Sequence, residues 1–219
     1  MFISHEGLLL CYEAAMTRLS QGYPFNLSTH MLWLGERTRK LGSAHVEYFR
    51  GIENPIGMKI GPGADLAELG SILQQLNPRN EVGKLILILR LGVKQVRAKL
   101  PSIIATVQAS GIAHVWEVDP MHGNTFKTED GIKTRRYEDI VEEIVTAAEI
   151  LAAGGETLAG VHLETAAEDV TECIGGAVDV KEKELCLRYT TLCDPRLNLA
   201  QTRQLLETIG HSMRAHHPL

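Results

Sequence analysis

The chain has 219 residues, of which 44% are hydrophobic and 22% charged, an ordinary balance for a globular protein with a substantial core. Its formal net charge of −5 argues against a general nucleic-acid binder, and no apolar run approaches the ~20 residues that span a bilayer. Glu6 and Glu13 interrupt the N-terminal stretch too early for a signal peptide, and Cys11, Cys173, Cys186 and Cys193 show no Cys-x-x-Cys spacing, so a cytoplasmic protein with reduced thiols is expected.

Strand and helix patterns alternate along the chain. A strand is expected near Ser4, then a helix over Gly7 to Leu19, a strand over Met31 to Leu34 and another over Ile56 to Ile60. A helix over Leu66 to Gln75 leads to a strand over Lys84 to Arg90, a helix over Gly92 to Ser110 and a strand over Ala113 to Val118. Tyr137 to Ala153 reads as a helix, Leu158 to Leu163 as a strand, and Asn198 to Ala215 as the last helix. This alternation is the signature of a parallel sheet with helical crossovers. Within Val141 to Leu151, apolar Ile144, Val145, Ala148 and Leu151 recur at helical spacing, while Glu142 and Glu143 are expected to face water. Gly61-Pro62-Gly63, Asp119-Pro120 and Gly154-Gly155 punctuate the strand ends. No repeat or linker interrupts the chain, so a single domain over 1–219 is expected, ending in an exposed tail with His211, His216 and His217.

The chemistry concentrates at the ends of the expected strands, where α/β enzymes carry their catalytic groups. In Asp119-Pro120-Met121-His122-Gly123-Asn124-Thr125 a histidine stands between a proline bend and a glycine, and a neutral imidazole there can ligate a metal or move a proton. Glu164 follows Gly160-Val161-His162-Leu163, and Asp194 lies in Cys193-Asp194-Pro195-Arg196-Leu197-Asn198. Singly, each has a structural reading: a turn-capping histidine, a charge ahead of Ala166-Ala167-Glu168, an Asp-Pro turn. Jointly they offer one nitrogen and two oxygen ligands, a set suited to a catalytic divalent cation with open positions. Lys59 and Arg90 end two apolar runs and Arg37 follows Trp33-Leu34-Gly35-Glu36, cations suited to phosphate and carboxylate groups. Lys133 and Arg135, after the histidine loop, could steer anions, direct contact with a ligand being the less favoured reading. In Thr171-Glu172-Cys173-Ile174-Gly175-Gly176 the glycines are expected to set loop geometry.

These segments, with Trp33-Leu34-Gly35-Glu36-Arg37-Thr38-Arg39 and Asn54-Pro55-Ile56-Gly57-Met58-Lys59-Ile60-Gly61-Pro62, resemble the type II 3-deoxy-D-arabino-heptulosonate 7-phosphate (DAHP) synthases from Ser4-His5-Glu6 through Asn198. The resemblance implies an α/β fold of the (β/α)8 TIM-barrel type, here incomplete, with about strands 3 to 8 of the eight. It also implies a transferase that joins phosphoenolpyruvate to erythrose 4-phosphate in an aldol-type step, with release of phosphate, at the head of the shikimate pathway. His122, Glu164 and Asp194 correspond to three of the family's four ligands for manganese, cobalt or a similar divalent ion. By the same resemblance Lys59, Arg90 and His122 are catalytic. Glu36, Arg37, Lys59 and Arg90 surround phosphoenolpyruvate, with Trp33 as a wall and Arg37 near the phosphate of the second substrate.

The family's cysteine ligand in a Gly-Asp-Cys-Ala-type motif has no counterpart here, nor have its second-strand arginine and Lys-Pro-Arg-Ser segment. Weak metal binding, little synthase activity and an open strand edge are therefore expected, the last leading to self-association or a need for the amino-terminal segment. Three other readings stay open: a relative serving phenazine, aminoshikimate or similar secondary metabolism, a non-catalytic remnant or partner subunit, and an incomplete record of a normal enzyme.

Overall fold

The computed structural model describes residues 1–216; His211 is exposed on the last helix, while His217 and the side chain of His216 lie outside the described set. Contacts divide the chain into two compact units, residues 1–89 with 101–117, and residues 90–100 with 118–219.

The first unit is built from β1 (Ser4–Glu6), α1 (Leu10–Met16), the hairpin β2 (Thr17–Ser20) and β3 (Tyr23–Asn26), β4 (Met31–Leu34), α2 (Ala44–Gly51), β5 (Ile56–Ile60), α3 (Leu66–Leu76) and β6 (Leu85–Leu89). Most of α4 (Val93–Ser110) and of β7 (Val115–Val118) also belongs to it. Its sheet runs in the order β1-β4-β5-β6-β7. Parallel pairing aligns Ser4 with Met31, Leu32 with Ile56, and Ile56 with Leu85. Every residue of β5 and β6 is buried, as expected of parallel strands covered on both faces. Helix α3 starts where the Asp65 carboxylate accepts the Ala67 amide at 2.8 Å, and it buries Leu69, Ile72, Leu73 and Leu76.

Two local features differ from the sequence expectation. The first helix stops at Met16 instead of continuing to Leu19, because Thr17–Ser20 pairs with Tyr23–Asn26 across a turn at Gln21 (φ 53°) and Gly22 (φ 86°). Two successive positive φ values are what a tight hairpin turn requires. Helix α2 was not expected at all; it is short, and its Ser43 cap accepts the Val46 amide at 3.3 Å. At the start of β6, the buried Lys84 ammonium donates to the carbonyls of Ile52 (2.6 Å) and Asn54 (2.7 Å), and burial pushes its pKa down to about 8.

The second unit contains the short antiparallel pair β8 (Phe126–Lys127) and β9 (Lys133–Thr134), α5 (Tyr137–Ala153), β10 (Leu158–Val161), a 3-10 turn over Glu182–Leu187, and α6 (Leu199–His216). The chain leaving β10 meets the end of β7, the His162 amide donating to the Val118 carbonyl at 2.8 Å. Helix α5 buries Ile140, Ile144, Ala147 and Leu151. Glu143 lies on that same face and is 1% exposed, which overturns the expectation that it faces water. Residues 140, 143, 144, 147 and 151 share one helical stripe, and the apolar count had omitted the one charged member.

Candidate functional site

The residues after β7 build a rigid histidine mount. Asp119 is fully buried; one carboxylate oxygen accepts the amides of Met121 (3.0 Å) and His122 (3.1 Å), and the other lies 2.7 Å from His122 Nδ1. The carboxylate thus makes the turn and holds the proton on Nδ1, leaving the Nε2 lone pair for a ligand. Asn124 tightens the bend by donating to the Pro120 carbonyl at 2.8 Å.

Glu164 and Asp194 converge on that nitrogen. Glu164 Oε1 is 3.5 Å and Asp194 Oδ2 is 4.0 Å from His122 Nε2, and one donor atom from each of the three lies within 4.8 Å of the others. Ligands about 2.0–2.2 Å from a divalent ion stand roughly 3–4 Å apart, so the two carboxylate distances from the imidazole suit such an ion. Their segments are joined by backbone bonds: the Leu197 amide donates to the Glu164 carbonyl at 3.0 Å and the Ala166 amide to the Leu197 carbonyl at 2.8 Å.

Each carboxylate gives its other oxygen to a cation. Lys133 pairs with Asp194 Oδ1, and Arg135 Nη2 lies 2.6 Å from Glu164 Oε2. No N–H of Arg135 is aimed along that last contact, so it is a charge contact more than a directed hydrogen bond. Arg135 also donates to the Thr125 hydroxyl at 3.1 Å and to the Pro195 carbonyl. One guanidinium therefore touches all three ligand-bearing segments. It is fully buried, which removes the possibility that it steers anions from solution; Lys133 pairs with Asp194. Burial works to raise the Asp194 pKa, but the Lys133 hydrogen bond and the charges of Lys133, Arg135 and His122 together hold it below the usual carboxylate range.

The Asp194 loop is shaped by Glu172. This buried carboxylate accepts the amides of Thr190 (3.0 Å), Thr191 (2.8 Å) and Arg196 (2.8 Å), and the Arg196 guanidinium pairs with it at 2.7 Å. Burial opposes its ionisation, and these donors outweigh burial, so its pKa falls below the usual value. Loop geometry in this stretch thus depends on Glu172 as well as on glycines. Arg90 stands beside the histidine mount, its Nη2 donating to the His122 carbonyl at 2.9 Å.

In the first unit, Lys59 is buried on β5 with its ammonium 5.8 Å from the centre of the Trp33 ring. Burial raises the pKa of Glu117, against the opposing charge of Lys59. Glu36 accepts the Gly61 amide at 2.6 Å and pairs with Arg39 at 3.0 Å, while Arg39 donates to the Lys59 carbonyl at 2.9 Å. Glu36 and Arg39 therefore fix the strand end that carries Lys59, whereas Arg37 is exposed. The reading of the sequence gave Asp119 and Arg39 no role in the site. For Asp119 a signal existed, since an Asp-Pro-x-His run allows the aspartate to accept the amides two and three residues on.

The Class-II DAHP synthetase family matches residues 1–210. A phospho-2-dehydro-3-deoxyheptonate aldolase of Neurospora crassa is 46% identical over 232 residues, covering 98% of this chain and 48% of that protein. The protein of that name from Streptomyces coelicolor is 42% identical over 215 residues, covering 97% of this chain and 48% of its own length. A third, AroG of Mycolicibacterium smegmatis, is 43% identical over 221 residues, with 98% and 48% covered. The chain thus spans about half the length of the curated relatives it matches. Among solved structures, the phospho-2-dehydro-3-deoxyheptonate aldolase of Francisella tularensis aligns with a TM-score of 0.57 at 18% identity, covering 86% of this chain and 56% of that one, a likeness of fold. With a parallel α/β sheet, a histidine and two carboxylates converging on one point, and a family match over nearly its whole length, this chain belongs to the class-II DAHP synthetase family.

Proposed function

We propose that this chain carries the metal centre and part of the phosphoenolpyruvate site of a DAHP synthase, which condenses phosphoenolpyruvate with erythrose 4-phosphate to give DAHP and phosphate. The observation that carries the reading is the convergence of His122 Nε2, Glu164 Oε1 and Asp194 Oδ2, each held by a partner that leaves one donor atom facing inward. A bound manganese or cobalt ion would polarise the aldehyde carbonyl of the sugar phosphate. Phosphoenolpyruvate binding is assigned to Lys59 and Arg90, whose charges suit its phosphate and carboxylate groups, with Glu36 and Arg37 as further residues for that substrate. Fixing two reactants in this way supplies on the order of 7–11 kcal/mol of a barrier.

On this reading the chain is a single partial barrel domain over 1–219, about strands 3 to 8 of a (β/α)8 barrel, supported by the parallel strands and by the family match. Among the described residues no helix is long and apolar enough to cross a membrane.

Calorimetric titration with manganese and then with phosphoenolpyruvate tests the reading. Manganese binding that His122→Ala abolishes, and phosphoenolpyruvate binding that Lys59→Ala and Arg90→Ala each abolish, are expected. Manganese binding indifferent to His122→Ala would overturn the metal assignment, and phosphoenolpyruvate binding indifferent to both cation variants would overturn the substrate assignment.

A further inference from the structure

Helix α5 directs one carboxylate inward from an otherwise apolar stripe. Glu143 Oε1 accepts the backbone amides of Leu91 (3.0 Å) and Gly92 (2.8 Å), and Oε2 accepts the side-chain amide of Asn124 (2.7 Å). Asn124 in turn accepts the Val93 amide at 2.9 Å. One acid thereby joins two loops, the one after β6 that begins with Arg90 and the one after β7 that presents His122.

At Gly92 and Gly123 the two loops approach backbone to backbone. Gly92 has φ +79°, and a Cβ placed there would stand 2.6 Å from the Gly123 carbonyl oxygen; a Cβ on Gly123 would collide with the Gly92 amide. Arg90 closes the contact by donating to the His122 carbonyl at 2.9 Å. The glycine pair has no rotamers through which to adjust, so the spacing of Arg90 and His122 follows the spacing of the two loops.

An apolar residue would pack α5 without the cost of burying an acid. Burial raises the Glu143 pKa to about 7, the nearby Asp119 adds to the rise, and the bonds from Gly92, Asn124 and Leu91 oppose it. What an apolar residue cannot do is accept three donors from two loops. Without Glu143 the amides of Leu91 and Gly92 would be buried and unpaired.

We propose that Glu143 is a positioning residue: acting through Leu91, Gly92 and Asn124, it holds the Arg90 guanidinium against the His122 carbonyl and keeps the metal-binding imidazole in register with the anion-binding arginine. The proposal rests on the roles given above to Arg90 and His122, and the test separates the two. Manganese affinity of the 219-residue chain is measured for the parent, His122→Ala, Glu143→Gln, Asn124→Ala, the Glu143→Gln/Asn124→Ala pair, and Ile140→Val as a control that weakens the same helix. All are compared at a temperature where each is folded.

Glu143→Gln keeps the acceptor for Leu91 and Gly92 but sets an NH2 against that of Asn124. A loss of affinity on the order of tenfold is expected, with a similar loss in Asn124→Ala, little further loss in the pair, and none in Ile140→Val. Parent-like affinity in Glu143→Gln, with binding abolished by His122→Ala, would overturn the positioning role and leave the metal centre standing. Should Glu143→Gln fail to fold, parent-like affinity in Asn124→Ala overturns the positioning role, because Asn124 is the link through which Glu143 reaches the histidine loop. Manganese binding that survives His122→Ala would instead remove the metal centre and the proposal with it.

Discussion

The guanidinium of Arg135 stands 2.6 Å from the Glu164 carboxylate and is itself completely buried. A charge so placed depends on its partners, and Arg135 has one in each segment that presents a candidate ligand: Thr125, Glu164 and the Pro195 carbonyl. Arg135→Ala would leave Glu164 facing a cavity with no counter-charge. Breaking a buried pair from one side costs about 3–5 kcal/mol. Urea unfolding should show a loss of that order; a change below about 1 kcal/mol would mean that the pair is solvated and the hub does not exist.

Metal binding should be visible as stability. If the ion binds only the folded chain, manganese at about 100 times its dissociation constant should raise the unfolding free energy by about 2.7 kcal/mol. A chelator should reverse the rise. His122→Ala, Glu164→Gln and Asp194→Asn should each remove most of it, because each deletes one of the three inward-facing donors. A thermal melt with and without the ion reads this directly, and a shift retained in all three variants would place the ion elsewhere.

Lys133 sets the opposite sign. Its ammonium already neutralises Asp194 and would repel an incoming divalent ion. The side chain is 41% exposed, so solvent screens it and the penalty is at most about 1 kcal/mol, or roughly fivefold in affinity. Lys133→Met should therefore bind manganese more tightly by up to about that factor. Weaker binding would show that Lys133 holds Asp194 in place more than it competes for it.

The three candidate ligands that converge were legible in the sequence, and the residues that hold them in place were less so. His122 and Glu164 follow apolar runs that form β7 and β10, whereas Asp194 follows Thr190-Thr191-Leu192-Cys193, where no strand forms, and precedes the Thr165–Leu197 bridge. The boundaries of β4, β5 and α5 coincide with the expected ones because continuous apolar runs and helical stripes are strong local signals. Helix α2 and the β2–β3 hairpin were missed; both are short, and the hairpin depends on a Gln-Gly turn that composition hardly marks. Arg135 and Glu143 were misplaced for a common reason. Charge predicts exposure only until a partner is found, and their partners lie from 10 to 60 residues away.

The ionisation of Glu143 should leave a mark on stability. Its folded pKa of about 7 lies above the ordinary 4.5. The folded chain therefore keeps the proton longer than the unfolded one, and the stabilisation this brings is full below about pH 4.5 and lost as the pH rises through 7. A displacement of that size corresponds to roughly 3 kcal/mol across the window. Burial also raises the pKa of Glu117 and Asp139, while hydrogen bonds lower those of Glu172 and Asp194, so the profile of the parent alone mixes several groups. Subtracting the profile of Glu143→Gln isolates one of them, because the glutamine does not titrate and its clash with Asn124 adds an offset that does not change with pH. Between pH 5 and 8 the parent should lose stability relative to the variant, most steeply just below pH 6, midway between the unfolded and folded values. A flat difference would show that Glu143 is ionised throughout, its three donors outweighing its burial.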